Sequence, residues 1–118
     1  MSSVQEHRDK AEHNEFLCDE LDNPFWDWAV TATFYAAVHY VEAYLAHGAS
    51  PKHSKDHTQR DSTIQNDAVL KTVYDDYRFL KLDSIDARYR PHIPFGQGDV
   101  ERAKKYLETV KAVIVPLI

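Results

Sequence analysis

The sequence is poor in residues that cross-link chains or break regular structure. Its 118 residues include three glycines and a single cysteine, Cys18. One cysteine cannot form a disulfide within the chain and no secretory leader is recognisable, so we expect a reducing compartment, the cytoplasm. No uncharged run reaches about 18 residues, the length that a membrane-spanning helix requires. The sequence therefore predicts no contact with the membrane interior.

An excess of positive charge is also missing. The formal net charge is −5, which argues against a general DNA-binding protein, because such a protein presents a basic face to the phosphates. The charged fraction of 28% and the hydrophobic fraction of 43% are typical of a soluble globular protein. The length predicts one domain over residues 1–118, large enough to bury a core.

Several signatures of catalytic and metal sites are absent. The chain has no phosphate-binding loop, no GxGxxG, no HExxH and no CxxC pair. A di-iron site needs a Glu-x-x-His pair on each of two helices, whereas His39 and Glu42 occur once and in the reverse order. His47, His53 and His57 lie in or beside a loop, where histidines rarely form a metal site without further metal ligands. We therefore expect no metal site and no cofactor.

The longest apolar-rich stretch, residues 24–47, predicts the central helix of the fold. Asp22 or Asn23 can cap its first turn, and Gly48 follows its last periodic residue. Apolar residues recur between these signals at three- and four-residue spacing, and a second face is rich in alanine. A helix that is apolar on two sides lies inside a bundle. Two residues of the main apolar face are expected in the core, Phe34 and Val41.

A polar lane runs along the same helix. Thr31, Tyr35, His39 and Glu42 project into one sector at 3.6 residues per turn, with Trp28 beside them. Under the first hypothesis these side chains hydrogen-bond to neighbouring helices or face solvent, and under the second they line a small polar site. Under the second hypothesis the ligand-binding candidates are Tyr35, His39 and Glu42.

The rest of the chain is also predicted to be helical. Further helices are expected over residues 4–21, 57–81 with a break near 66–67, 84–89, and from an Asp99 cap to Pro116. Residues 90–98 contain two prolines and two glycines and must form a loop. The last helix has apolar residues at heptad spacing: Val100, Ala103, Leu107, Val110, Ile114 and Leu117. The predicted fold class is all-α, an antiparallel four-helix bundle plus a short extra helix.

The densest positive cluster follows the central helix. Lys52, His53 and Lys55 lie in the loop, and His57 and Arg60 begin the next helix. A solvated loop explains such a cluster, and so does a contact with an anion or a nucleic acid. His57 and Arg60 are therefore further ligand-binding candidates.

A second candidate site is the segment that contains Arg88 and His92. A histidine can move a proton and a guanidinium can stabilise charge on a phosphate, which suits phosphodiester cleavage. The alternative is structural, with Arg88 tied to an acidic helix and His92 exposed in the loop. The residues alone leave both readings open.

Three stretches of the chain are similar to bacterial HEPN-like helical domains: WDWAVTATFYAAVHYVEAYLAHG, HTQR and YDDYRFLKLDSIDARY. The likeness extends over about residues 22–117, and its late S-x-x-A-R-Y segment consists of Ser84, Ala87, Arg88 and Tyr89. HEPN-like domains are small helical bundles named for their occurrence in higher eukaryotes and prokaryotes and for nucleotide binding. The resemblance implies such a bundle here.

The resemblance also implies a choice of functions. Some members are metal-independent RNases of toxin and defence systems, in which an Arg and a His with a longer spacer are paired across a dimer. Others are non-catalytic and accompany nucleotidyltransferases. Only three residues separate Arg88 from His92 here, and His57 precedes Arg60. We therefore interpret the chain as a divergent or non-catalytic member.

The predicted function is a stand-alone HEPN-like module that binds a nucleotide, RNA or a protein partner as a homodimer. The homodimer is expected because the alanine-rich face and the last helix offer more apolar surface than one small bundle needs. One alternative is an RNase that uses Arg88 and His92, supported by His57 and Arg60. Another is a purely structural helical subunit.

Overall fold

The computed structural model describes residues 2–118, and this part of the chain folds into five α-helices without a strand. Two short 3-10 turns, Leu70–Val73 and Val115–Leu117, supplement them. The all-α prediction is confirmed. No helix within residues 2–118 combines the length and apolar character needed to cross a membrane. The helices are α1 (Val4–Glu20), α2 (Trp26–Ala46), α3 (His57–Asn66), α4 (Tyr74–Tyr89) and α5 (Gln97–Ile114).

Helix α2 is the centre of the core. It packs against α1, α4 and α5, so three of the other helices surround it. Phe34 and Val41 are fully buried, as predicted, and the alanines Ala29 and Ala36 on its other side are fully buried as well. Small side chains allow neighbouring helices to approach closely, which explains why the alanine-rich face is covered within the monomer.

The ends of α2 differ in how well the sequence predicted them. The predicted caps Asp22 and Asn23 are wrong, because Phe25 occupies the N-cap position without a side-chain hydrogen bond. The Asp22 carbonyl instead accepts from the Phe25 N–H at 2.6 Å in a turn before the helix. At the other end Gly48 has φ +112°, which confirms the left-handed termination because L side chains rarely adopt that φ.

Helix α4 is longer than predicted. The break near residues 66–67 exists, and Asp67 Oδ1 there accepts from the N–H groups of Val69 and Leu70 at 2.9 Å each. The separate short helix over residues 84–89 is wrong, since α4 runs unbroken through this region. Ser84 is buried in mid-helix, and its hydroxyl donates to the Lys81 carbonyl at 2.8 Å instead of capping a helix.

Helix α5 buries most of its heptad positions. Its N-cap is Gly96, so Asp99 lies in the first turn, where Oδ2 accepts from the Gly96 N–H at 2.8 Å. The predicted role of Asp99 as N-cap is therefore wrong by three positions. Leu117 is 42% exposed, because the 3-10 turn after Ile114 changes the helical spacing. The buried apolar residues are Val100, Ala103, Leu107, Val110 and Ile114.

Candidate functional site

A buried ion pair joins α2 to α3. Glu42 is only 2% exposed and Arg60 only 8%. The Arg60 Nε donates to Glu42 Oε1 at 2.8 Å, and the Ser54 N–H donates to Oε2 at 3.3 Å. Burial by itself raises the pKa of the Glu42 carboxyl, but hydrogen bonds from Ser54 and Arg60 outweigh it and hold the pKa below its usual range. Glu42 is therefore an anion at neutral pH.

Three histidines surround this ion pair. His7 comes from α1, His39 from α2 and His53 from the loop before α3. The Nδ1 atoms of His7 and His39 lie 3.1 Å apart, and His53 Nδ1 lies 3.6 Å from Glu42 Oε2. The rings of His7 and His53 are stacked with centroids 5.9 Å apart. We call Glu42, Arg60, His7, His39 and His53 the Glu42 cluster.

The two inner histidines of the Glu42 cluster are neutral at pH 7. Burial lowers the pKa of His7. The pKa of His39 is lowered to about 4, first by burial and then by electrostatic repulsion between the protonated forms of His39 and His7. Two neutral imidazoles can share a hydrogen bond through Nδ1 only when one ring donates and the other accepts. Either ring can be the donor, so two tautomer arrangements satisfy this contact.

The second region is a groove between α2 and α4. It encloses about 400 Å³ and is lined by Phe34, Tyr35, His57, Lys81, Ile85, Arg88 and Tyr89. The Arg88 Nη1 donates to the Tyr35 hydroxyl at 2.6 Å, and its Nε donates to the Ser84 carbonyl at 3.1 Å. The Arg88 Cζ lies 5.4 Å from the ring centroid of Tyr35 and 5.1 Å from that of Tyr89. We call this region the Arg88 groove.

The charge of Arg88 has no acidic partner among residues 2–118. Its hydrogen bonds all go to neutral groups, the Tyr35 hydroxyl and two oxygens of Ser84. Lys81, by contrast, forms an ion pair with Asp61. Tyr89 is 70% exposed, so the groove presents an aromatic face and an uncompensated guanidinium to solvent.

His57 connects the two regions. Its Nδ1 lies 3.0 Å from Arg60 Nη1, and its ring centroid lies 5.7 Å from that of Phe34 and 6.3 Å from that of Tyr35. Burial, and after it the positive charge of Arg60, lowers the pKa of His57. A neutral imidazole therefore forms the wall between the Glu42 cluster and the Arg88 groove.

The candidate residues named from sequence fall into three places. Tyr35, His57 and Arg88 meet at the Arg88 groove, whereas His39, Glu42 and Arg60 meet in the Glu42 cluster. His92 lies in the exposed loop after α4, and no hydrogen bond or ion pair links it to Arg88 within the described chain.

The polar lane and the positive loop cluster are both divided by the fold. Along the lane, Thr31 and Glu42 are buried, whereas Trp28 is 54% exposed. In the cluster, Lys52 and Lys55 are exposed while Arg60 is turned inward to Glu42. The polar lane and the positive cluster are therefore each partly buried and partly exposed.

His7 belongs to the Glu42 cluster but is not among the candidate residues predicted from the sequence. It lies four residues before Ala11 and eleven before Cys18, and all three are buried on one face of α1. That helical spacing is visible in the sequence and could have identified His7 as inward-facing. Its partners at residues 39, 42 and 53 carry no such local signal.

Comparison with known proteins agrees with this architecture. The family model described as HEPN domain matches residues 5–116, almost the whole chain. The chain belongs to the HEPN domain family. The resemblance noted in the sequence is thereby confirmed, and it makes this HEPN domain a nucleotide- or RNA-related module in general terms. Searches of curated proteins and of solved structures found no match.

Proposed function

We propose that this HEPN domain binds a nucleotide or a short single-stranded RNA segment in the Arg88 groove without cleaving it. The observation that carries the proposal is the guanidinium of Arg88, which lies close to the rings of Tyr35 and Tyr89 and lacks an acidic partner within residues 2–118. In this arrangement a phosphate of the ligand pairs with Arg88 and a base stacks on the exposed ring of Tyr89.

The chemistry of the groove suits such a ligand. Arginine pairs with phosphate through several parallel N–H donors, and these charge-assisted hydrogen bonds are stronger than neutral ones. Stacking of a base on an aromatic ring contributes about 1–3 kcal/mol and tolerates any base. The volume of about 400 Å³ lies within the range of small-molecule sites.

The position of His92 supports binding rather than cleavage. A general base must lie within hydrogen-bond reach of the hydroxyl that it deprotonates. His92 is outside the lining of the Arg88 groove, and no hydrogen bond links it to Arg88 within the described chain. An RNase that uses Arg88 and His92 needs both groups at one phosphate.

Binding is tested by fluorescence anisotropy with a labelled oligouridine and with ATP as competitor. We expect Arg88→Gln to weaken binding about tenfold or more, equivalent to about 1.4 kcal/mol. Arg90→Gln is the matched control, because Arg90 is exposed, two residues away and paired with Asp86 at 3.1 Å. Tyr89→Ala should also weaken binding, whereas Tyr89→Phe should retain it. Equal affinity of the Arg88→Gln and Arg90→Gln variants would overturn the proposal.

Cleavage is tested separately with the same oligonucleotide in the presence of a chelator. We expect the wild-type protein and an Arg88→Ala, His92→Ala double variant to show the same background. Robust cleavage by the wild type that disappears in the double variant would instead support the RNase function.

We also propose that the protein is a homodimer in the cytoplasm. Phe16, Leu17 and Trp28 are 65%, 42% and 54% exposed, and the last two border a largely apolar cavity of about 500 Å³ that also reaches Tyr35 and Arg88. Small assemblies are mostly symmetric dimers that cover one such patch with its copy. Sedimentation equilibrium should give twice 13.7 kDa. A monomer mass across the micromolar range would leave the surface to a different protein partner.

A further inference from the structure

We propose that the Glu42 cluster binds a divalent transition-metal cation, with zinc as the best fit, through His7, Glu42 and His53. The ligand atoms that these three side chains offer all lie within 4.8 Å of one another. Two imidazoles and one carboxylate form a well-known ligand set for zinc, and a water molecule completes the coordination. The site lies outside the Arg88 groove and is independent of the function proposed there.

The donor atoms must approach one another by at most about 1.5 Å when the ion binds. Bonds of about 2.0–2.1 Å in a tetrahedral zinc site place the donor atoms about 3.3 Å apart. His53 Nδ1 is already 3.6 Å from Glu42 Oε2. His7 and Glu42 are fixed on helices, whereas His53 lies in the loop between α2 and α3 with a half-exposed side chain. A movement of His53 brings its ring towards the other two ligands, and side-chain rotation of His7 and Glu42 supplies the rest of the contraction.

His7 has a nitrogen that lacks a partner. Its Nδ1 is in hydrogen-bond contact with His39, but its Nε2 is buried and makes no hydrogen bond within residues 2–118. Unpartnered buried polar atoms are rare in folded proteins because each one costs free energy. A cation at Nε2 would satisfy this atom, and the Nδ1 proton would then be donated to Nδ1 of His39.

The neighbours of the three ligands provide the supporting contacts that metal sites require. His39 contacts Nδ1 of His7 and thereby orients the His7 ring, as outer-shell partners of ligating histidines commonly do. Arg60 and the Ser54 N–H hold the Glu42 carboxylate, with Arg60 bound to Oε1, so that Oε2 faces His53. The positive charge of Arg60 opposes a second cation nearby, so we expect a moderate rather than a very tight affinity.

The choice of a transition metal follows from the donors. Magnesium and calcium prefer a shell of oxygen ligands, whereas imidazole nitrogen suits zinc, copper, iron and nickel. The Glu42 cluster offers two nitrogens and one carboxylate oxygen. Cobalt(II) can report on the same site, because its visible absorption is intense when the coordination is tetrahedral.

The test is a calorimetric titration of tag-free, chelator-treated full-length protein with zinc chloride, followed by cobalt(II) absorption. We expect one site per chain. His53→Ala should weaken zinc binding roughly tenfold or more while leaving the melting temperature of the metal-free protein unchanged. The matched controls are His13→Ala and His47→Ala, two exposed histidines outside the cluster. Both controls should retain the wild-type affinity.

Two further variants make the result decisive even where a buried substitution impairs folding. His39→Ala removes only the supporting contact and should weaken zinc binding about 10–100-fold. Glu42→Gln is interpreted only if its circular dichroism matches that of the wild type. Absence of zinc binding, or affinity that depends on His13 or His47 and not on His53 and His39, would overturn the proposal.

Discussion

The Glu42 cluster and the Arg88 groove each contain one arginine, yet the two arginines differ in burial and in their hydrogen-bond partners. Arg60 is 8% exposed and paired with a buried carboxylate at 2.8 Å. Arg88 borders an open cavity and bonds only to neutral groups within residues 2–118. A buried charge must be compensated inside the protein, whereas a charge at a solvent-filled groove remains available to a ligand. These environments give Arg60 a structural role and support the proposed role of Arg88 in ligand binding.

The largest expected effect comes from removing a buried aromatic side chain that lines the Arg88 groove. Phe34 is fully buried, and its ring centroid lies 5.1 Å from Tyr35, 5.7 Å from His57 and 5.6 Å from Tyr77. Phe34→Ala should reduce the free energy of unfolding by about 3–5 kcal/mol, measured in urea melts. Phe79→Ala, at a 44% exposed position, should cost clearly less. A loss under about 1 kcal/mol for Phe34→Ala would contradict its place in the core.

The next effect isolates the buried ion pair. Arg60→Met leaves the Glu42 carboxylate buried without its guanidinium, and we expect the free energy of unfolding to fall by about 3 kcal/mol. A double variant with Arg60→Met and Glu42→Leu should recover part of that loss, because no charge is then stranded. Chelator-containing buffer keeps metal ions from contributing. A double variant as unstable as the sum of its single variants would show that the pair is not coupled.

The same substitution in the groove should have the smaller effect on stability. Arg88→Met removes one hydrogen bond to Tyr35, contacts with Ser84 and the two aromatic contacts, and we expect a loss of about 1 kcal/mol or less. Oligouridine binding should fall sharply in this variant. If Arg88→Met reduced the free energy of unfolding more than Arg60→Met, Arg88 and not Arg60 would be the more important arginine for stability.

The smallest effect concerns the histidine between them. The pKa of His57 is below that of an unfolded chain because burial and the Arg60 charge disfavour the imidazolium. The folded state therefore takes up this proton at lower pH than the unfolded state. The resulting contribution to stability is complete above about pH 6.5 and is lost as the pH falls through the folded pKa.

This titration is measured as the free energy of unfolding at several pH values between about 5 and 8. Because His7 and His39 also have lowered pKa values, the informative quantity is the difference between wild type and His57→Gln. The variant should lose less stability on acidification than the wild type. An equal or steeper loss in His57→Gln would contradict the lowered pKa of His57.

Helices were predicted well where local spacing decides them. The helix around Phe34 and Val41, the break near residues 66–67 and the left-handed Gly48 all follow from periodicity and backbone preference. The errors lie at the ends of helices. The sequence predicts Asp99 as the N-cap of α5, where the structure has Gly96, and it predicts a helix that begins at Ser84, which instead lies inside α4. Serine and aspartate occur both at helix caps and inside helices, so only the backbone hydrogen bonds distinguish the two positions.

The main helices and most of the candidate polar residues of this HEPN domain follow from the sequence, because helical periodicity is a local property. The sequence singled out Tyr35, His39, Glu42, His57, Arg60 and Arg88, but it gave no indication that they divide into two regions. Only the tertiary structure brought His7 from α1 to His53 and Glu42, and paired Arg60 with Glu42 while Arg88 kept neutral partners. These contacts join residues far apart in the chain, and their distances depend on how α1 and α4 pack against α2 and on where the segment after α2 places His53 and Arg60.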